Sequence, residues 1–269
     1  MNKVSVVIPA YKSARFIKET VESVLAQENV EFEVIISLQG PEDGTREILS
    51  NIEDSRIRVI DAPQGAAKEN WTFVSNQAEG EYIKLLPADD VLMPGMLARQ
   101  VKLLDDDAHA VLTASKREVI DENNQVLKKT WGLIGLSSRM SGHSVIRRVI
   151  GLGINALGEP GGVLMRRDAF TEAGGWDFSH PYVVDLETYL HVLEHGDFVA
   201  DESVGVKFRV SSTQWTAQLQ GVQSAHVIGM NEEFGKRLPS VVTKLVLMRG
   251  NLMARGMQFA RGMMYKLKS

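Results

Sequence analysis

Over its first 115 residues the chain alternates short apolar runs with stretches of about ten residues whose apolar side chains recur at helical spacing. Residues 4–8, 32–37, 56–60, 81–86 and 110–114 read as strands. The first, Val4-Ser5-Val6-Val7-Ile8 ended by Pro9, has the β-branched composition of a strand buried on both faces of a parallel sheet. Behind it, Phe16, Ile17, Val21, Val24 and Leu25 share one helical face, with Ser13 placed to cap the helix. Further helices are expected over 46–52, 66–77 and 94–104. Such units predict parallel pairing with right-handed crossovers, and they put ligands at the carboxyl ends of the strands. The residues just after each strand are therefore the first candidates for function.

After 115 the alternation stops. A hairpin is expected around 121–124, and the Gly- and Ser-rich segment 132–142 reads as a loop of the kind that covers a site. With 269 residues, 44% of them apolar, the chain can bury one large core, as a single domain or as two closely joined halves. It has no cysteine, which excludes a disulfide framework and a thiolate metal site and leaves oxygen or imidazole ligands for any metal. A formal net charge of -4 argues against nucleic acid as a partner. The first nine residues are too short for a signal peptide or a membrane span, and cytoplasmic residence is expected.

Three segments at strand ends carry the chemistry. The first strand runs into Pro9-Ala10-Tyr11. The second runs into Leu38-Gln39-Gly40-Pro41-Glu42-Asp43-Gly44-Thr45. The fourth runs into Pro87-Ala88-Asp89-Asp90. An acidic residue at a strand end suits a hard divalent cation that neutralises charge on a diphosphate. Together with Gly174-Gly175-Trp176-Asp177 and Val184-Asp185-Leu186-Glu187, these segments resemble the inverting glycosyltransferase family 2 of the GT-A fold, from about 4 to 211.

The resemblance implies an α/β GT-A fold in which a Rossmann-like nucleotide-sugar-binding half (1–115) is fused to an acceptor-binding half (116–215), followed by a basic helical extension (216–269). It implies a donor site made by Pro9, Tyr11, Gln39, Lys68, Asn70, Ala88, Asp89 and Asp90, with Asp89 holding Mg2+ or Mn2+. It makes Asp185 the catalytic base. The implied reaction moves a sugar from a nucleotide sugar, a UDP-sugar in the first instance, to a saccharide or lipid-linked saccharide hydroxyl with inversion. Cell-surface polysaccharide or glycolipid synthesis is the expected setting.

The sequence departs from the family pattern at Leu38 and Gln39, where two Asp are usual, at Pro87, at Val184 in place of Glu, and at Ser211 in place of His. Gln both donates and accepts, so the base edge is open to a different reading. The missing Glu at 184 leaves Asp185 in more apolar surroundings, which should raise its proton affinity. Glu187 reads as a first-turn structural acid, His180 as a surface or core histidine, and Trp71 as core. These departures also leave room for a relative that binds nucleotide-sugar or glycan without turnover. A nucleotidyltransferase would carry an early Gly-rich phosphate loop, and 7–13 contains no glycine.

From Phe234 onward there are eight Lys or Arg and no Asp or Glu. Val241, Leu245, Met248, Leu252, Phe259, Met263 and Leu267 fall on one side of a helical wheel. A basic amphipathic stretch over 240–268 can lie on an anionic membrane, here its inner face, or pack on the body. Gly250, Gly256 and Gly262 favour shorter helical pieces over one long helix.

Overall fold

The structure is a computed structural model that describes residues 4–211 and 221–266, with side chains as far as Phe259. The expected apolar positions Met263 and Leu267, and residues 216–220 and 267–269 of the expected extension, lie outside the described side chains or residues.

Strand β1 (Val4–Tyr11), helix α1 (Ile17–Leu25), β2 (Phe32–Gln39), α2 (Thr45–Ser50), β3 (Ile57–Asp61), α3 (Ala67–Ser75) and β4 (Tyr82–Leu85) follow one another as the alternation predicts. β1 pairs in parallel with β2 and β4, and β2 with β3, so four parallel strands end on one edge. The pairing splits side chains cleanly: Val4, Val6 and Ile8 face the layer that holds Ile17, Val21 and Val24 of α1, whereas Val7 faces the layer that holds Val74 of α3. Both faces are buried, which is why the strand reads as nearly continuous apolar sequence. Ser13 does not cap α1 with its side chain. Its hydroxyl accepts from the Tyr11 amide, and its carbonyl accepts from the amides of Phe16 and Ile17.

Beyond β4 come β5 (Val91–Leu92), α4 (Met96–Asp105), β6 (Ala110–Ile120), β7 (Val126–Trp131), β8 (Arg139–Met140), α5 (Gly142–Leu152) and β9 (Val163–Arg166). The chain then forms α6 (Arg167–Glu172), α7 (Val184–Val192), β10 (Asp197–Arg209), α8 (Gln223–Arg237) and α9 (Lys244–Lys266). Among the described residues the strands make one sheet in the order β3-β2-β1-β4-β9-β6-β10-β5. The expected fifth parallel neighbour is therefore corrected. β9 inserts antiparallel between β4 and β6, and β6 finds its parallel partner in β10. The hairpin expected near 121–124 joins β6 to β7.

α9 is one continuous 23-residue helix rather than shorter pieces. Gly250 sits where α9 crosses α5, and any Cβ there would run into the Ile150 carbonyl. The close crossing offsets the intrinsic helix cost of glycine, about 1 kcal/mol.

Candidate active site

The carboxyl ends of β1, β2 and β3 surround a depression of about 210 Å³ lined by Ala10, Lys12, Leu38, Gln39, Gly40, Asp43, Arg46 and Gln64, among others. Its rim is held by short-range hydrogen bonds. Asp43 accepts from the Thr45 hydroxyl at 2.6 Å and from the amides of Thr45 and Ala14. Partial burial opposes ionisation, but these hydrogen bonds outweigh it and hold the Asp43 carboxyl below its ordinary range. Gly40 adopts φ 92°, and a Cβ there would strike the Tyr11 ring, so glycine lets that ring lie over the loop.

The expected donor residues do not all reach this depression. Gln39 is buried on its wall, and its amide donates to the Pro63 carbonyl at 2.8 Å, tying β2 to the loop before α3. Tyr11 is exposed at the rim and Pro9 is partly buried below it. Asn70 is buried and hydrogen-bonded to the Ser37 hydroxyl, so it braces β2 from beneath. Lys68 is exposed on the first turn of α3. At the N-cap of that helix the Ala66 N–H donates to the Glu69 carboxylate at 2.8 Å.

At the end of β4, Ala88 and Asp89 are partly buried and Asp90 is buried. Asp90 Oδ1 accepts from the Arg209 amide at 3.0 Å, and its Oδ2 has no hydrogen-bond partner among the described residues. Burial, then the neighbouring Asp89 charge, push the Asp90 carboxyl well above its ordinary value. Asp90 thus docks β10 behind Asp89. Arg209, fully buried, adds to this docking by donating to the Asp89 carbonyl at 2.8 Å and pairing with Glu19.

Asp185 lies in the first turn of α7. Its Oδ2 accepts from Asn155 Nδ2 at 3.1 Å, and Asn155 also closes the turn to Gly158. Desolvation pushes the Asp185 carboxyl up to about 7; a hydrogen bond from the Leu186 amide opposes this and the charge of Glu159 adds to it. Burial, as the apolar residue at 184 led us to expect, is thus the main cause. Glu159 acts on Asp90 as well as on Asp185, so one carboxylate electrostatically links the two sides of the site. It forms an ion pair with the buried Arg117.

Sequence reasoning missed Glu159, Arg117, Asn155 and Lys84. The turn Pro160–Gly162 that follows Glu159 is fixed by Lys84, whose ammonium donates to the carbonyls of Gly161 at 3.0 Å and Val163 at 2.7 Å, and by Gln100, which donates to Gly162. Lys84 is fully buried, and desolvation lowers its pKa to about 7. A lysine centred in an apolar strand was the available signal, since unpaired charge is rarely buried without a role.

The family model described as glycosyl transferase family 2 matches residues 5–174. The chain belongs to glycosyltransferase family 2. Among curated relatives of this chain, an uncharacterized Mycobacterium tuberculosis protein is 25% identical over 71% of this chain and 61% of its own length. An uncharacterized glycosyltransferase of Rickettsia conorii is 26% identical over 80% of this chain, which spans 35% of that relative. Chondroitin synthase of Pasteurella multocida is 33% identical over 43% of this chain and 12% of its own length. S. aureus TarS 1-349, solved with UDP-GlcNAc, superposes with TM-score 0.69 at 14% identity, covering 91% of this chain and 71% of that one. A mannosyltransferase from Pyrobaculum calidifontis, solved with GDP-Man and Mn2+, gives TM-score 0.67 at 16% identity, covering 96% and 73%. These neighbours share the GT-A architecture with this chain.

Proposed function

We propose that this glycosyltransferase moves a sugar from a nucleoside diphosphate sugar, UDP-linked, to a hydroxyl of a saccharide or lipid-linked saccharide, with inversion, in cell-surface polysaccharide or glycolipid synthesis. The observation that carries the reading is Asp185: a desolvated carboxyl at about 7, oriented by Asn155 and linked through Glu159 to the strand end that bears Asp89. A base poised near neutrality is suited to accept the acceptor hydroxyl's proton. As that proton passes to Asp185, the acceptor oxygen bonds to the anomeric carbon and the bond to the diphosphate breaks on the opposite face. Holding acceptor and donor in line supplies much of the acceleration.

The UDP complexes of TarS and the saccharide-polymer synthases among the relatives support this donor and acceptor class. The donor set at β4 fits a hard dication. Asp89 offers a partly exposed carboxylate, whereas Asp90 is committed to the Arg209 amide and driven toward its neutral form. Asp89 would hold Mg2+ or Mn2+ from the protein side, and the ion would neutralise charge on the departing diphosphate. The test is nucleoside diphosphate release from UDP-, GDP- and dTDP-sugars with either metal. Turnover with UDP-sugar, lost in Asp89→Ala and Asp185→Asn, is the expected result. Binding of donor without turnover across varied acceptors would replace the proposal with a binding-only role.

α9 supports a peripheral membrane contact at the inner face. Leu245, Met248, Leu252 and Phe259 are each at least 70% exposed. At 100° per residue they form one stripe, flanked by exposed Lys244 and Arg255 on one side and Arg249 on the other. No helix among the described residues is long and apolar enough to cross a membrane. The intact chain should float with anionic liposomes, and a Leu245→Ser, Leu252→Ser double variant should float at least about tenfold less, given roughly 1.5–3 kcal/mol per buried leucine. Equal flotation would remove the membrane contact.

A further inference from the structure

Outside the site described above, histidines and carboxylates converge where α7 meets α8. Asp177 follows the Gly174–Gly175 turn, His191 stands in the last turn of α7, and Glu233 projects from α8; ligand atoms of the three lie within 4.8 Å of one another. His191 Nε2 is 3.4 Å from Asp177 Oδ2, and its Nδ1 is 3.0 Å from Glu194 Oε1. With Glu194 holding the Nδ1–H tautomer, Nε2 would present its lone pair toward the Asp177 carboxylate. That pairing is how metal-binding imidazoles are oriented. Two donors about 2.0–2.1 Å from a tetrahedral ion stand roughly 3.3–3.4 Å apart, which matches the Asp177–His191 spacing.

A second observation points the same way. Glu187 is fully buried, and its Oε1 lies 2.7 Å from His180 Nδ1, but its Oε2 has no hydrogen-bond partner among the described residues. Ligand atoms of His180, Glu187 and Glu233 also lie within 4.8 Å of one another, so the same Glu233 joins both groups. Four carboxylates, Asp177, Glu187, Glu194 and Glu233, face two imidazoles here, and Arg237 pairs with Glu194 at 3.1 Å. An anionic excess in a partly buried seam is costly unless a cation offsets it. An open depression of about 590 Å³, lined by His180, Gly229, Glu232, Glu233, Lys236 and Arg237, gives an ion a way in.

We propose that Asp177, His191 and Glu233 form a divalent-cation site, zinc being the ion suited to a mixed imidazole and carboxylate set, and that a water on the ion donates to Glu187 Oε2. The site clips α8 to α7, the helix that carries Asp185. It is separate from Asp89 and does not depend on a nucleotide donor.

The test uses the full chain, stripped with EDTA, without nucleotide-sugar. Zinc affinity is read by competition with a chromophoric chelator, metal content after desalting, and the shift of Tm on adding zinc. The wild type and Asp89→Ala should retain zinc and gain Tm. Glu233→Gln and His191→Ala should lose both responses, and Glu194→Gln should weaken zinc about 10–100-fold by freeing the His191 ring. Wild-type chain that fails to compete for zinc would overturn the site whatever the variants do. Undiminished zinc affinity in a folded Glu233→Gln would overturn it as well.

Discussion

At the carboxyl ends of β1, β2 and β3 the molecule presents an open depression whose rim is set by Asp43, Gly40 and the Gln39 amide, all engaged in ordinary short-range contacts. Around Asp185 it does the reverse, setting one carboxyl beside the Arg117–Glu159 ion pair and the Tyr189 hydroxyl, which has no hydrogen-bond partner among the described residues. The first region can recognise a ligand by shape and hydrogen bonding while staying solvated, and there each contact is worth little. The second keeps charge out of water, where each charge shifts its neighbours strongly. On the proposed function, substitutions in the second region should change rate and pH dependence, and those in the first should change donor affinity.

The largest effect is expected at Asp185. Asp185→Asn should lower kcat by roughly 10²–10⁴-fold, the usual contribution of a general base. In the wild type, the rate should fall as pH drops below about 7, because the carboxyl must be ionised to accept a proton. Stability should move in the opposite sense. The folded carboxyl titrates near 7 and the unfolded one near 3.8, so the folded state binds the extra proton between these values, and stability is lost as pH rises through that window. Asp185→Asn should therefore raise Tm most above pH 7 and least near pH 4. A variant that loses activity and stability together at pH 8 would mean that Asp185 is a structural group.

Next come Glu159 and Arg117. The Glu159 charge raises the Asp185 pKa and the Arg117 charge lowers it. Glu159→Gln should shift the acidic limb of the rate profile to lower pH, and Arg117→Met should shift it higher. Either single change also leaves a buried charge without its partner and should cost about 3–5 kcal/mol in denaturant unfolding. Limbs that stay in place in both folded variants would break the link between this pair and Asp185.

The two regions also differ in how far they could be read beforehand. β1, β2 and β4 were legible because burial on both faces writes itself into local sequence; in β1, Val4, Val6 and Ile8 pack one way and Val7 the other. β9 was not, since its place between β4 and β6 depends on a turn at Pro160–Gly162 held by Lys84 from a strand some eighty residues earlier. Asp89 and Asp185 stood out because each lies at a motif beside an element start. Glu159, Arg117 and Asn155 are scattered along the chain, and only tertiary packing brings their charges and amides to bear on Asp185. Even Asn70, which the resemblance placed in the donor site, turned inward to Ser37, because a short polar side chain on an early helical turn can as well brace a strand as meet a ligand.

The smallest effect belongs to Gln39, and it tests the other side of the comparison. Gln39→Ala removes one neutral hydrogen bond to the Pro63 carbonyl, about 0.5–1.5 kcal/mol, and should raise the donor KM no more than about tenfold with kcat nearly unchanged. Gln39→Asp is the sharper variant. An ionised Asp cannot donate to Pro63, so the loop before α3 is released while a new acceptor is placed on the depression wall. If the wall reads the nucleotide base, the ratio of kcat/KM between UDP- and GDP-sugars should differ between Asp and Ala at this position. If both variants weaken all donors equally, Gln39 only ties β2 to its loop, and recognition of the base lies with other residues of the depression.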